Sequence, residues 1–187
     1  LALARALGIR LKFKAGLTLY LKRHKYQNAI TANLWQALSE ASGKEVAPMM
    51  DTWTNQMGYP AISVESIQNV VGYTVAVTLQ QKRFLADGQC SPSEQLHWYV
   101  PVSVCSLTEP DEVLLRVVLE PHGGSQTFQL PSALPGYVRV NPGGVGFYQV
   151  RYQETVLPAV TAALPQMSPR DRLCLVAYSF ALDDSKN

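Results

Sequence analysis

The hydrophobic period changes twice along this chain, and that change limits how it can fold. Up to Met57, apolar residues recur at steps of three and four, the repeat of helices that bury one face. Leu7, Leu11 and Phe13 begin one stripe, and Leu17, Tyr20 and Leu21 continue it. Thr31 precedes Leu34, Trp35 and Leu38, where its hydroxyl is placed to cap free backbone N–H groups. Ser42 and Glu45 have the spacing of a capping box. Val46, Met49, Met50, Trp53 and Met57 then predict a buried stripe, stopped by Gly58 and Pro60.

From residue 59 to residue 152 the period is two. Tyr73, Val75, Val77 and Leu79 alternate with Thr74, Ala76, Thr78 and Gln80. Trp98, Val100, Val102 and Val104 form a second run, and Val113, Leu115, Val117 and Leu119 a third. Shorter candidates lie at 61–67, 125–130, 137–140 and 145–152, with turn residues at Asp87-Gly88, Gly123-Gly124 and Asn141 to Gly144. About seven strands of this kind predict a β-sandwich. Pro101 cannot donate to a ladder, which predicts an edge or a bulge there. Helical spacing returns after 152. Val156 to Leu164 is a short candidate, and Ser168-Pro169-Arg170-Asp171 is a helix start with a cap, a proline at the first position and an acid at the positive end. Leu173, Val176, Ala177 and Phe180 form its apolar stripe, with little chain after it to cover that face. The fold class is therefore a multidomain α+β chain, divided at 1–58, 59–152 and 153–187.

Composition excludes several classes. Apolar residues are 47% and charged residues 16%, which is globular rather than disordered. No apolar run is long enough to cross a bilayer. A net charge of +2 makes no general case for nucleic acid. Cys90, Cys105 and Cys174 form neither a disulfide framework nor a zinc knuckle, and free thiols point to a reducing, cytoplasmic setting. Residues 1–39 carry Arg5, Arg10, Lys12, Lys14, Lys22, Arg23 and Lys25 and no acid. That is either the solvated face of a helix whose acidic partners lie elsewhere in a larger protein, or an organellar transit peptide. A first residue that is Leu1 rather than Met suits a fragment or a processed chain.

The chemistry-bearing residues do not assemble into a site. His24, His97 and His122 have no second His or Cys at ligand spacing, and there is no H-E-x-x-H. No G-x-S-x-G is present. Gly143-Gly144-Val145-Gly146 precedes a strand rather than a helix, so it reads as a tight turn and not a phosphate cradle. Asp183-Asp184 read as solvated carboxylates. No residue is assigned to catalysis, to a cofactor or to a metal.

The motifs in order do form a pattern. Asn28, Ala29, Thr31, Leu34, Trp35 and Leu38 lead to Ala41-Ser42-Gly43-Lys44 and then to Trp53, Thr54, Gln56, Gly58, Tyr59 and Pro60. This resembles the end of the catalytic domain of zinc aminopeptidases of the aminopeptidase N type, where N-A-x-T-x-D-L-W-x-x-L leads to A-S-G-K and W-T-x-Q-x-G-Y-P. Asn33 stands where that family usually has Asp. Gln80 to Phe84 resembles its Q-x-R-F strand, in wording that leans to the puromycin-sensitive branch, and Trp98 to Val102 resembles W-x-x-P-V. Val140-Asn141 through Gly146 to Tyr152 resembles V-N-x-x-x-x-G-(Y/F)-Y-R-V-x-Y, with Gln149 for the usual Arg. Ser168 to Arg172 resembles the start of the family's C-terminal helical domain, where Ala177-Tyr178 replace a usual acidic pair.

The resemblance implies that 1–58 are the last helices of a thermolysin-like catalytic domain, 59–152 its small sandwich and 153–187 the first part of the helical domain. It implies a parent enzyme that removes N-terminal amino acids from peptides. It also implies that the zinc ligands, the G-x-M-E-N segment and the transition-state Tyr all lie upstream of these residues. No zinc or other cofactor is expected in this chain, and its partners would be the missing domains. The alternative is a stand-alone, non-catalytic sandwich acting through a binding partner. An immunoglobulin-like module does not fit, because its Cys pair and Trp spacing are not met.

Overall fold

A computed structural model describes residues 10–70, 74–86, 96–106, 113–130 and 138–184. Expectations that rest on Leu7, Tyr73, Asp87, Gly88 or Cys90, or on the side chains of Leu11, Asp183 and Asp184, lie outside this description. The chain divides into two compact units, Leu1–Met57 and Gly58–Asn187.

The first unit holds three described helices, α1 (Arg10–Arg23), α2 (Thr31–Ser42) and α3 (Val46–Thr54). The α1–α2 contact centres on a residue that periodicity overlooks. A Cβ on Gly16 would meet Leu38 Cδ2 at 2.7 Å and its Cα at 3.1 Å, so only glycine lets the two backbones approach this closely. The predicted stripe is only half right. Phe13, Leu17 and Tyr20 are half-buried, whereas Leu21 points outward. Two residues of the basic face have partners inside this chain. Arg23 forks onto Glu40 of α2 through bonds of 2.8 and 2.7 Å, and the Lys12 ammonium donates to the Ser42 carbonyl.

Both predicted caps are placed differently. Thr31 is already helical and the N-cap is Ile30, so the hydroxyl is past the position where it could cap. Asn33 satisfies that end instead, because its Oδ1 accepts from the Ile30 N–H at 3.0 Å. A carboxylate oxygen at this position could accept the same bond. Asn33→Ala is expected to cost about 0.5–1 kcal/mol of local stability, and Asn33→Asp almost none. Hydrogen exchange at the first turn of α2 checks this. Ser42 and Glu45 do not form a box, because Ser42 still belongs to α2. The Val46 N–H donates instead to Ser39 Oγ at 3.0 Å, one turn earlier in the chain. Val46 is buried, Met49, Met50 and Trp53 are half-buried, and Met57 is exposed.

The second unit is a sandwich of seven described strands followed by helices. They are β1 (Tyr59–Val70), β2 (Thr74–Phe84), β3 (Val100–Ser106), β4 (Val113–Leu119), β5 (Gln126–Leu130), β6 (Val138–Val140) and β7 (Gln149–Tyr152). One sheet has the order β5-β2-β1-β7 and the other β4-β3-β6. All pairs are antiparallel except β1 with β7. The period-two residues supply the core. Ile62, Val64, Val75, Val77 and Leu79 of one sheet, and Val100, Val102, Val104 and Leu119 of the other, are at most 1% exposed. Each such aliphatic side chain contributes about 1.5–3 kcal/mol of burial. Pro101 does not sit on an edge strand, and the bulge in β3 falls at Val104/Cys105 instead. Pro101 is tolerated because β6 pairs only with Val104 to Ser106, so at Pro101 the strand has a single neighbour, β4. The 145–152 candidate shortens to β7, since Gly146 is drawn into a turn by Asn141.

Two polar side chains tie the sheets together across the core. Gln81 of β2 is 1% exposed; its Nε2 donates to the Trp98 and Glu120 carbonyls at 2.9 and 2.6 Å, and its Oε1 accepts from the Trp98 N–H at 2.8 Å. At the other side the Val140 N–H of β6 donates to the Tyr152 hydroxyl of β7 at 3.1 Å.

After β7 come α4 (Leu157–Ala162), a short 3-10 turn and α5 (Pro169–Asp184). The start of α5 follows the sequence reading: Ser168 Oγ accepts from the Asp171 N–H at 3.2 Å, with Pro169 first in the helix. Its apolar stripe does not face inward. Leu173 and Phe180 are each 69% exposed and Val176 50%, while Asp171 and Leu182 are buried.

Candidate functional site: a polar seam between sandwich and helix

The residues of the V-N-x-x-x-x-G-F-Y-Q-V-R-Y run and of the S-P-R-D-R run meet in one place. Val138, Arg139 and Val140 alternate along β6, so Arg139 projects from the face opposite its valine neighbours. All three are buried, and on its own face Arg139 meets Asp171 of α5. Arg139 Nη1 lies 2.6 Å from Asp171 Oδ2, with both side chains about 7% exposed or less. Asp171 also accepts from the Ser168 hydroxyl and, at 2.7 Å, from the Gly143 N–H. One carboxylate thus serves the start of α5, the turn after β6 and the β6 strand itself.

Asn141 builds the turn. It holds φ +60°, a left-handed conformation that Asn tolerates better than most side chains. Its Oδ1 accepts from the Gly146 N–H at 2.7 Å, and its Nδ2 donates to the Tyr178 hydroxyl at 2.9 Å. A Cβ on Gly144 would lie 2.5 Å from Cys174 Sγ, and Gly144 also has positive φ, so the turn and α5 touch directly. At the far end of α5, Arg151 Nη2 donates to the Leu182 carbonyl at 3.5 Å.

The electrostatics of the seam are those of a fixed joint. Burial alone pushes the Asp171 carboxyl up, but Ser168, the Gly143 N–H and Arg139 together outweigh it and hold it below the usual carboxylate range. Burial pushes the Cys105 thiol up. It also pushes up the Tyr148 and Tyr152 hydroxyls, and moves Tyr178 up to about 12. These five groups are driven away from the near-neutral values that general acid–base work requires.

The residues considered from sequence are scattered by comparison. His24 follows α1 and lies against Tyr20 with the rings tilted by 43° and their centroids 5.4 Å apart. His97 precedes β3, and burial with His122 nearby lowers it below the usual imidazole range. His122 accepts from the Gly124 N–H in the β4–β5 turn at 3.1 Å. Cys105 is buried in β3, and Cys174 is half-buried in α5. The Gly143, Gly144 and Gly146 N–H groups are taken by Asp171, the Asn141 carbonyl and Asn141 Oδ1, so the cluster is a turn with its donors spent. Among the described residues, no three His, Cys, Asp or Glu side chains are grouped to hold a metal ion. No helix among them is long and apolar enough to cross a membrane. Sequence reasoning missed Arg139 and the cross-core bonds of Gln81, and it read Asn141 only as a turn residue, without its bond to Tyr178. A polar residue inside a valine-flanked strand was the available signal for the first.

Comparison with known proteins bears directly on the motifs. Residues 1–53 match the peptidase family M1 domain. Over 159 residues the chain is 41% identical to puromycin-sensitive aminopeptidase of Caenorhabditis elegans, taking in 84% of this chain and 16% of that protein. Over 182 residues it is 34% identical to glutamyl aminopeptidase of Bos taurus and 33% to that of Homo sapiens, taking in 92% and 91% of this chain and 18% of each of those proteins. The chain spans less than a fifth of the length of these curated relatives. By sequence it belongs with the M1 zinc aminopeptidases. Its relatives there include the puromycin-sensitive and glutamyl aminopeptidases.

Proposed function

We propose that these residues are a structural segment of a zinc-dependent aminopeptidase that removes N-terminal amino acids from peptides, and that they contain none of its catalytic, cofactor-binding or metal-binding groups. The observation that carries this reading is the seam. Two of the motifs in the second half supply turn, ion pair and helix cap to one another, which is a joint between layers rather than a reaction centre. In this reading 1–58 close a catalytic domain, 59–152 are the spacer sandwich and 153–187 begin a helical domain. Among the described residues no His, Cys, Asp and Glu side chains are grouped for a zinc site, which supports a reading in which no step of the chemistry runs through this segment. The peptide substrates belong to the whole enzyme, and the nearest partners of this segment are that enzyme's other domains. The exposed Leu173, Val176 and Phe180 would lie against them. The free thiols Cys105 and Cys174 support a cytoplasmic setting.

The same exposed face favours a second reading, a non-catalytic sandwich that binds a separate protein. Metal analysis and assay of the 187-residue chain test the first. It is expected to hold no stoichiometric zinc and to leave aminoacyl anilides intact, whereas a longer product carrying H-E-x-x-H upstream cleaves them. A tightly bound zinc in the short chain, or an inactive longer product, would overturn it.

A further inference from the structure

The Arg139–Asp171 pair leaves part of the guanidinium unserved. Nε and Nη1 of Arg139 are buried, and neither has an acceptor in aligned hydrogen-bond geometry, although Nη1 is in ionic contact with Asp171. Buried polar groups are nearly always paired, by protein or by ordered water. A cavity of about 10 Å³ adjoins this group, lined among others by Arg139, Asn141, Tyr152, Asp171, Cys174 and Tyr178. That volume is close to the ~10–15 Å³ that one water requires.

We propose that this cavity is a binding site for a single ordered water, which accepts from Arg139 and donates to the Asp171 carboxylate or the Tyr178 hydroxyl. The chemistry of the lining selects among ligands. A halide would face the Asp171 carboxylate at close range, and a cation would face the guanidinium. A neutral molecule that both accepts and donates suits a matched pair, and only water is small enough. The last helix is then joined to the sandwich through a hydrated ion pair. This stands whether or not the enzyme reading does.

The test is a crystal structure of the 187-residue chain at roughly 1.8 Å, from crystals grown in chloride and in bromide. The expected result is one peak within about 3.2 Å of Arg139 Nε or Nη1, without anomalous signal in bromide. A bromide peak there, or a guanidinium repacked onto Asp171 with the cavity closed, would overturn the site. In solution, Val160→Leu adds a methylene to the wall of the same cavity from α4 and leaves both charged side chains in place. It is expected to remove one long-lived water from the oxygen-17 relaxation dispersion of the folded chain, and an unchanged dispersion would count against the proposal.

Discussion

Asp171→Ala is expected to destabilise the second unit by about 3–5 kcal/mol, because it strands a buried guanidinium. The substitution also removes the acceptor for the Gly143 N–H and for the Ser168 hydroxyl. The damage should be local first: hydrogen exchange across 169–184 rises well before exchange in β1 and β2. Replacing both partners, Arg139→Met with Asp171→Leu, should recover most of the loss, since no charge is then left unpaired. A double variant as unstable as the single one would mean that the pair is not what holds the helix. The pH dependence follows from the depressed Asp171 carboxyl. Its stabilisation is complete above the unfolded carboxyl value of ~3.9 and is lost as pH falls through the lower folded value. Docking of α5 should therefore persist at pH 5 and fail only in stronger acid. Asp171→Asn should be weaker at neutral pH and should lose this acid limb.

Gln81→Leu should cost about 2–4 kcal/mol even though it adds apolar surface to the core, because three hydrogen bonds go with the amide. Trp98 N–H loses a 2.8 Å acceptor, and the Trp98 and Glu120 carbonyls lose their shared donor. Gln81→Glu separates hydrogen bonding from shape. Its second oxygen would face those two carbonyls, so the side chain fits only when protonated. Denaturant unfolding of Gln81→Glu is expected to give a higher midpoint at pH 5 than at pH 8, against a small difference for the parent chain. Equal midpoints would show that the amide is not the tie between the sheets.

The sandwich was legible because its period is two and its inward residues are Val, Ile and Leu. The start of α5 was legible because Ser168, Pro169 and Asp171 each have a positional meaning. What escaped has a common physical cause. Thr31 and Ser42 carry capping chemistry, yet tertiary packing sets where each helix begins, and Asn33 and Ser39 take those roles. Pro101 could not be read from one strand, because its tolerance depends on how far β6 extends. Leu173, Val176 and Phe180 form a true apolar stripe, but the inward side of α5 is polar at its start, where Asp171 meets Arg139. That pairing joins residues 32 positions apart, and no local pattern announces it. The resemblance showed that both motifs belong together, and the seam supplies a physical reason.

The most direct test is the mass of the endogenous protein, captured with an antibody to residues 59–152 and read by mass spectrometry. A species several times heavier than 20.6 kDa is expected, with peptides upstream of Leu1 that include H-E-x-x-H. A species near 20.6 kDa, all of whose peptides fall within these 187 residues, would contradict a structural segment of an aminopeptidase.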